Sequence, residues 1–193
     1  MKLVVKLGGA VAEGAAATVL ALAEEHDVCV VHGAGPQISD EMERCGLPVR
    51  FVGGRRVTTA AALAVVRRSL CAVNRSLCAA LGPRAVGLIG DEIGLRAFRV
   101  PELGLVGDAV PSRPALVDDA LDAELLPVVA PLAVGPLNVN ADEAAAALAV
   151  GLHADRMLGD GTFEGGIVPK LRAAVAAARL GVPAEIGTTA VTV

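Results

Sequence analysis

Lysine is rare in this chain, and two of its lysines stand where an ammonium group has a chemical use. Of 17 basic residues, only Lys2, Lys6 and Lys170 are lysines. Lys6 interrupts the apolar run Leu3–Leu7, which is typical of a buried strand, and a buried ammonium group is unfavourable unless an anion meets it. Lys170 comes near the start of the last predicted helix, where a cation opposes the helix dipole unless it faces a bound anion. Both positions indicate an anionic ligand; the alternative for Lys6 is a solvated strand end.

Two glycine turns follow predicted strands and offer backbone N–H groups to an anion. Gly8–Gly9 follows the first strand, and His32–Pro36 follows the second strand, Val28–Val31. Pro36 suits the first position of a helix, and a helix N-terminus attracts anions. In an open α/β sheet both turns lie at the carboxyl edge, where ligands bind. The chain contains no P-loop, and Ile38 replaces the third small residue of a dinucleotide fingerprint.

Arg55 and Arg56 follow a β-hairpin that is predicted to turn at Gly53–Gly54. One of these arginines is suited to bind a carboxylate through two parallel hydrogen bonds. The alternative is that both are solvated surface arginines, because exposed charges rarely contribute much to stability.

Asn138, Asn140 and Asp142 form a polar cluster ahead of the alanine-rich helix predicted at Ala144–Leu152. The two asparagines alternate on one face of an extended segment, and Asp142 lies at a helix start, where a carboxylate is favoured. Capping by Asn140 or Asp142 is the simpler explanation, but three polar residues in one alternating cluster favour a functional site.

Composition limits the classes of protein that fit. The chain has 193 residues, 54% of them hydrophobic and 2% aromatic, so one domain with a core of alanine, valine and leucine is expected. The net charge is −4 and the charges are spread along the chain, so neither nucleic acid nor an anionic membrane is expected as a partner. We expect a cytoplasmic protein, because no signal peptide or bilayer-spanning run is recognised. Cys29, Cys45, Cys71 and Cys78 lack C-x-x-C spacing and are predicted to be reduced core residues.

Strands and helices alternate along the chain, which predicts an α/β fold with parallel strands. The predicted strands are Leu3–Leu7, Val28–Val31, Ala85–Ile89, Leu126–Ala130, Arg156–Leu158, Ala184–Ile186 and Ala190–Val193. The predicted helices are Val11–His26, Thr59–Leu81, Leu116–Leu121, Ala144–Leu152 and Gly165–Leu180. Between Asp91 and Pro114, we expect short antiparallel strands around Leu95–Val100 and Leu103–Val106.

Five motifs, in order, resemble the acetylglutamate kinase branch of the amino acid kinase family. They are Lys6–Gly9, His32–Gln37, Gly54–Thr58, Asn138–Asp142 and Gly165–Lys170. The resemblance implies a three-layer αβα sandwich with a mainly parallel central sheet. It also implies a single domain over residues 1–193, with an acetylglutamate-binding lobe over about 1–135 and a shortened nucleotide-binding lobe over about 136–193.

The implied reaction is ATP-dependent phosphorylation of the side-chain carboxylate of N-acetyl-L-glutamate, in arginine biosynthesis. By resemblance, the catalytic residues are Lys6 and Lys170, which contact phosphate oxygens, and Asp142, which orients both lysines. The substrate-binding residues by resemblance are Gly33, Ala34, Arg56 and Asn138. The phosphate- and nucleotide-binding residues are Gly8, Gly9, Gly35, Asp160 and Gly166. Magnesium is expected to arrive with ATP, without dedicated protein ligands.

The chain departs from the family pattern at three places. Ala34 stands where the family usually has a third glycine, few residues separate Leu158 from Gly165, and the segment between Ile186 and Gly187 is shorter than in the family. We expect a homodimer, without the N-terminal helix that supports hexamers and arginine inhibition in some members. Two alternatives remain: a non-catalytic acetylglutamate-binding or regulatory protein on the same fold, and a kinase for a carrier-linked aminoadipate or glutamate.

Overall fold

The computed structural model describes residues 1–8, 13–159, 167–187 and 189–191; of residues 13, 14 and 167–171 the backbone alone is described. The strands of these segments are β1 (Lys2–Leu7), β2 (Asp27–His32), β3 (Phe51–Val52), β4 (Arg55–Arg56), β5 (Ala85–Ile89), β6 (Ala97–Arg99), β7 (Val106–Ala109), β8 (Leu126–Ala130), β9 (Leu132–Ala133), β10 (Leu137–Val139), β11 (Arg156–Gly159), β12 (Ala184–Ile186) and β13 (Thr189–Val191). The helices are α1 (Glu13–Ala23), α2 (Gly35–Arg44), α3 (Ala60–Leu81), α4 (Gly90–Ile93), α5 (Ala115–Asp122), α6 (Ala141–Gly151) and α7 (Ile167–Arg179). No helix among the described residues is long and apolar enough to cross a membrane.

A seven-stranded sheet forms the centre of the fold, in the order β13-β12-β11-β1-β2-β8-β5. Neighbouring strands are parallel except β12 and β13, which are antiparallel. β1 lies between β2 and β11, with Lys6 opposite Val31 on one side and Gly159 on the other. The predicted α/β fold with a mainly parallel central sheet is confirmed.

Side chains along β1 alternate between two helical layers, because successive residues of a strand point to opposite faces. Leu3 and Val5 pack in the core beneath α1 and α3, whereas Val4 packs in the core beneath α6 and α7. Lys6 shares the face of Val4 and is therefore directed toward α6. On β2 the even-numbered residues face α3, and His32 is one of them.

The site is completed by a smaller sheet and a hairpin. β6, β7, β10 and β9 form the smaller sheet, and β3 pairs with β4 in the hairpin. The predicted hairpin turn is confirmed, since Gly53 and Gly54 have φ of 58° and 82°, which glycine adopts without strain. α3 begins after Thr59, whose Oγ1 accepts a hydrogen bond from the Ala62 N–H at 3.2 Å.

The predicted strand boundaries between Asp91 and Pro114 were partly wrong. β6 and β7 are antiparallel as expected, but the second strand begins at Val106 rather than Leu103. Pro101–Leu103 forms a 3₁₀ turn that ends at Gly104, which has φ of 87°. The proline and the left-handed glycine delay the return strand by three residues.

The prediction that the cysteines are core residues was wrong for Cys45, which is exposed. Cys29 is buried, and Cys71 and Cys78 are half-buried. Cys45 is the C-terminal capping residue of α2. The helix ends there, so its buried face, formed by Ile38 and Met42, does not extend to Cys45.

Candidate active site

A cavity of about 610 Å³ opens beside the carboxyl ends of β1 and β2. Predicted site residues from four separate motifs line it: Lys6, Gly8, Gly33, Ala34, Gly35, Arg56, Asn138 and Asp142. The predictions for Gly9, Asp160 and Gly166 fall outside the described residues. The backbone of Lys170 lies in the first turn of α7, and its side chain is outside the description.

Lys6 and Asp142 form a buried ion pair at the wall of this cavity. Their exposed fractions are 5% and 8%, and the Lys6 Nζ lies 3.3 Å from Asp142 Oδ1. β1 directs Lys6 toward α6, and Asp142 is the second residue of that helix. The carboxylate holds the ammonium group at the cavity wall, which supports the predicted pairing of these two residues.

Asn140, and not Asp142, caps α6. Its Oδ1 accepts hydrogen bonds from the backbone N–H of Asp142 at 2.9 Å and of Glu143 at 3.3 Å. The capping role proposed as an alternative for Asp142 therefore belongs to its neighbour, and the Asp142 carboxylate is directed to Lys6 instead.

Arg56 is buried beside the cavity and is held by neutral groups. It is 6% exposed, and Nη2 donates to Gly35 O at 3.0 Å and to Ser39 Oγ at 2.9 Å. Its guanidinium carbon lies 4.6 Å from the centre of the Phe51 ring, within cation–π range. Burial lowers the pKa of Arg56, and within the described segments no carboxylate pairs with it. A buried cation held in this way is suited to receive a ligand carboxylate.

Arg55 has the opposite arrangement. Its Nη2 and Nε lie 2.7 Å and 3.0 Å from Glu143 Oε1, and its Nη1 pairs with Asp108. Burial raises the pKa of the Glu143 carboxyl, and Arg55 acts against that shift. Arg55 therefore joins β4 to α6 and β7, so of the two hairpin arginines Arg56 is the one suited to a ligand.

Asn138 is held by a chain of hydrogen bonds that ends at the hairpin. Its Nδ2 donates to Thr58 Oγ1 at 3.0 Å, and Thr58 Oγ1 donates to Arg56 O at 2.8 Å. Thr58 is fully buried. The amide of Asn138 and the backbone of Arg56 are thereby fixed relative to one another at the same wall of the cavity.

His32 and Asn74 were not predicted as functional residues, although both are buried polar groups behind the glycine turn. Asn74 Nδ2 lies 3.1 Å from His32 Nε2. The sequence contained one signal, since an asparagine in the middle of the long helix is disfavoured by propensity. An apolar helix face that includes an asparagine indicates a buried hydrogen-bond partner.

Comparison with known proteins adds four findings. The family model described as "Amino acid kinase family" matches residues 1–159. The acetylglutamate kinase of Thermus thermophilus is 35% identical over 219 aligned positions, covering 94% of this chain and 88% of that protein. The acetylglutamate kinase of Rubrobacter xylanophilus is 38% identical over 220 positions, covering 95% and 87%. The crystal structure of smu.665 from Streptococcus mutans UA159 has the same fold, with a TM-score of 0.85 at 24% identity. The match covers 99% of this chain and 96% of that chain.

Proposed function

The chain belongs to the amino acid kinase family, and we propose that it transfers the terminal phosphoryl group of ATP to the side-chain carboxylate of N-acetyl-L-glutamate. The products are the acyl phosphate and ADP, in arginine biosynthesis. The proposal depends mainly on one observation: the Lys6–Asp142 pair and the buried Arg56 line the same cavity. The activity agrees with the curated names of its relatives.

The chemistry needs positioning more than acid–base catalysis. A carboxylate oxygen of acetylglutamate attacks the γ-phosphorus, a new P–O bond forms, and the bond from that phosphorus to the β–γ bridging oxygen breaks. The acceptor is already ionised near neutral pH, so no general base is required. The main barrier is the approach of two anions, which a fixed ammonium group and backbone N–H donors reduce.

Each proposed role follows from a group in the cavity. Arg56 binds the carboxylate of acetylglutamate that does not react, and Asn138 contacts the acetyl-amide region. Lys6 contacts oxygens of the transferring phosphoryl group, while Asp142 holds it in place. Gly33 and Ala34 form the adjacent wall. The cavity volume of about 610 Å³ lies in the range typical of small-molecule sites.

The nucleotide side of the site is proposed from the position of α7. This helix packs against α6, which carries Asp142, and Lys170 is part of the first turn of α7. We propose that Lys170 binds the nucleotide phosphates and that magnesium arrives bound to the triphosphate. In the segments that the structure describes, no cluster of three histidine, cysteine or acidic side chains could hold a metal ion.

Two further predictions concern the assembly and its location. We propose a homodimer, and β5 offers a surface for it, since it is the last strand at its end of the described sheet and an unpaired edge favours strand addition. Sedimentation analysis distinguishes a dimer from a monomer. A cytoplasmic location likewise remains a prediction, to be tested by fractionating cells that express the chain.

The activity is tested by incubating the chain with ATP, magnesium and acetylglutamate and trapping the acyl phosphate as its hydroxamate. Product formation is expected, and a folded protein that forms none contradicts the proposal. In that event, calorimetry that detects binding of acetylglutamate but not of an ATP analogue would identify a non-catalytic binding protein. Competition between acetylglutamate and a carrier-linked aminoadipate tests the choice of acceptor, because specificity depends on few contacts.

A further inference from the structure

Two buried polar side chains lie behind the cavity without lining it. His32, the last residue of β2, is 0% exposed, and Asn74, in the middle of α3, is 4% exposed. Neither belongs to the residues that line the cavity. Buried polar groups are normally hydrogen-bonded. A network of buried hydrogen bonds holds its side chains in one arrangement.

The orientation of the Asn74 amide follows from its neighbours. Its nitrogen, Nδ2, lies 2.8 Å from Val128 O and 3.1 Å from His32 Nε2. The carbonyl of Val128 only accepts hydrogen bonds, so the donating nitrogen of the amide must face it. The second N–H of the same nitrogen then faces His32 Nε2. On the other side, Asn74 Oδ1 accepts from Cys78 Sγ at 3.8 Å, so the amide is satisfied in one orientation only.

This orientation determines the tautomer of His32. A neutral imidazole has one donating and one accepting nitrogen, and Nε2 must accept from Asn74. Nδ1 therefore carries the proton, and it lies 3.1 Å from Gly33 O, to which it donates. Burial lowers the pKa of His32 and favours the neutral form that this network requires.

The hydrogen bond from His32 fixes a peptide unit of the cavity wall. The described chain contains no cis peptide bond, and in a trans peptide the carbonyl oxygen and the following N–H point in opposite directions. Because Gly33 O is directed at His32, the N–H of Ala34 is directed away from it. The Gly33 N–H donates to Leu7 O at 2.9 Å, which anchors the other side of the same residue to β1.

We infer that His32, held by Asn74, is a positioning residue that orients the Ala34 N–H as a donor to the transferring phosphoryl group. The inference rests on the proposed kinase activity. It assigns a role to the helix asparagine and to the histidine of the glycine turn, neither of which contacts the ligand cavity. Asn74 also packs closely against β5, the strand at the edge of the sheet that contains Gly87. A Cβ added at Gly87 would lie only 2.2 Å from Asn74 Oδ1.

The kinetic test compares four variants. His32→Leu and Asn74→Leu should each lower kcat at least about tenfold, since a small misplacement of a catalytic donor is expensive. The KM for acetylglutamate should stay within about threefold, because Arg56 and Asn138 are untouched. His32→Asn places an amide nitrogen near the former Nδ1 and should recover most of the lost kcat, whereas His32→Gln should not. Full turnover in His32→Leu, or equal losses in His32→Asn and His32→Gln, overturns the inference.

Leu77→Val is the matched control, because Leu77 is buried on α3 one turn from Asn74 but belongs to the core beneath α1. It should lower the unfolding temperature and leave kcat unchanged. Gly87→Ala provides a distant variant: it should displace Asn74 and reduce kcat, whereas Val86→Ala on the same strand should not. An unchanged kcat in Gly87→Ala contradicts the inferred coupling.

A spectroscopic test separates this inference from the proposed function. The chain has three histidines, so long-range ¹H–¹⁵N correlations of the imidazoles can be assigned by substitution. His32 should show the Nδ1–H tautomer alone, and Asn74→Leu should weaken that preference, because only the Gly33 carbonyl would then favour it. If the wild-type chain is inactive but shows this tautomer, the proposed function fails while the network stands. If it is active and His32 shows the other tautomer, the positioning role fails while the activity stands.

Discussion

The Nζ atom of Lys6 lies 3.3 Å from Oδ1 of Asp142, although one residue belongs to the first strand and the other to the sixth helix. Both side chains are largely buried. Burying an ion pair removes two charges from water, and the pair often contributes little net stability. An anionic ligand in the adjoining cavity explains the pair better than a stabilising role, and this relationship leads to the first prediction.

Substitution of Lys6 should abolish most of the activity. Lys6→Ala should lower kcat at least about a hundredfold, the loss typical of removing one transition-state donor. Lys6→Arg should recover only part, because a planar guanidinium does not replace a compact ammonium group. Lys2→Ala is the matched control, since Lys2 lies on the same strand and pairs with Asp118 at 3.1 Å. Steady-state kinetics measure all three, and near-normal turnover in Lys6→Ala would refute its role.

The second lysine is tested in the same way. Lys170→Ala should also lose at least about a hundredfold in rate, because it removes a cation from the phosphates. The loss should be accompanied by weaker ATP binding, measured by calorimetry. Arg172→Ala removes an exposed cation from the same helix and should leave both quantities unchanged. A Lys170→Ala enzyme that retains its rate and its ATP affinity would exclude Lys170 from the site.

Arg56 should determine the affinity for acetylglutamate. Arg56→Met should raise the KM for acetylglutamate by about tenfold to a hundredfold, the range for hydrogen bonds to a charged group, with a smaller effect on kcat. Arg50→Ala removes an exposed arginine just before the same hairpin and serves as the control. A loss confined to kcat would contradict carboxylate binding by Arg56.

Arg55 should matter for stability. Arg55→Met leaves Glu143 half-buried without its cation and should reduce the free energy of unfolding by about 1–3 kcal/mol. Without Arg55, the pKa of Glu143 should rise further, so the folded state binds a proton more readily than the unfolded state. The loss of unfolding free energy in Arg55→Met should therefore become smaller as the pH falls from about 7 to about 5. Urea unfolding at several pH values measures this, and a deficit that grows on acidification would count against the explanation.

His32 should make the protein sensitive to acid. Burial holds the pKa of His32 below its ordinary value, so as the pH falls below about 6.5 the unfolded chain binds a proton before the folded chain does. The buried, neutral His32 therefore contributes to stability above that pH, and this contribution is lost as the pH falls toward the pKa of His32 in the folded state. His32→Asn removes it, so the difference in unfolding free energy between wild type and variant should narrow between about pH 7 and about pH 5. A constant difference would show that His32 does not titrate on unfolding.

Much of the fold and several site residues followed from local patterns. The apolar run of β1, the glycine segment between β2 and α2 and the hairpin turn at Gly53–Gly54 depend on neighbouring residues along the chain, so they were predicted correctly. The boundaries around β7 were not, because Pro101 and Gly104 act through a turn whose geometry depends on the strand with which it packs.

From the sequence by itself, Lys6, the glycine turn after β2 and the polar segment before α6 could be predicted as parts of a site, and in the structure all three line one cavity. The sequence did not decide which of Arg55 and Arg56 is available to a ligand, or whether Asn140 or Asp142 caps the helix. Those choices depend on partners far away in the chain: Glu143 and Asp108 for Arg55, and Lys6 for Asp142. Only the folded chain brings such groups within hydrogen-bonding distance, and at that scale a displacement of a few ångströms decides which charge is paired.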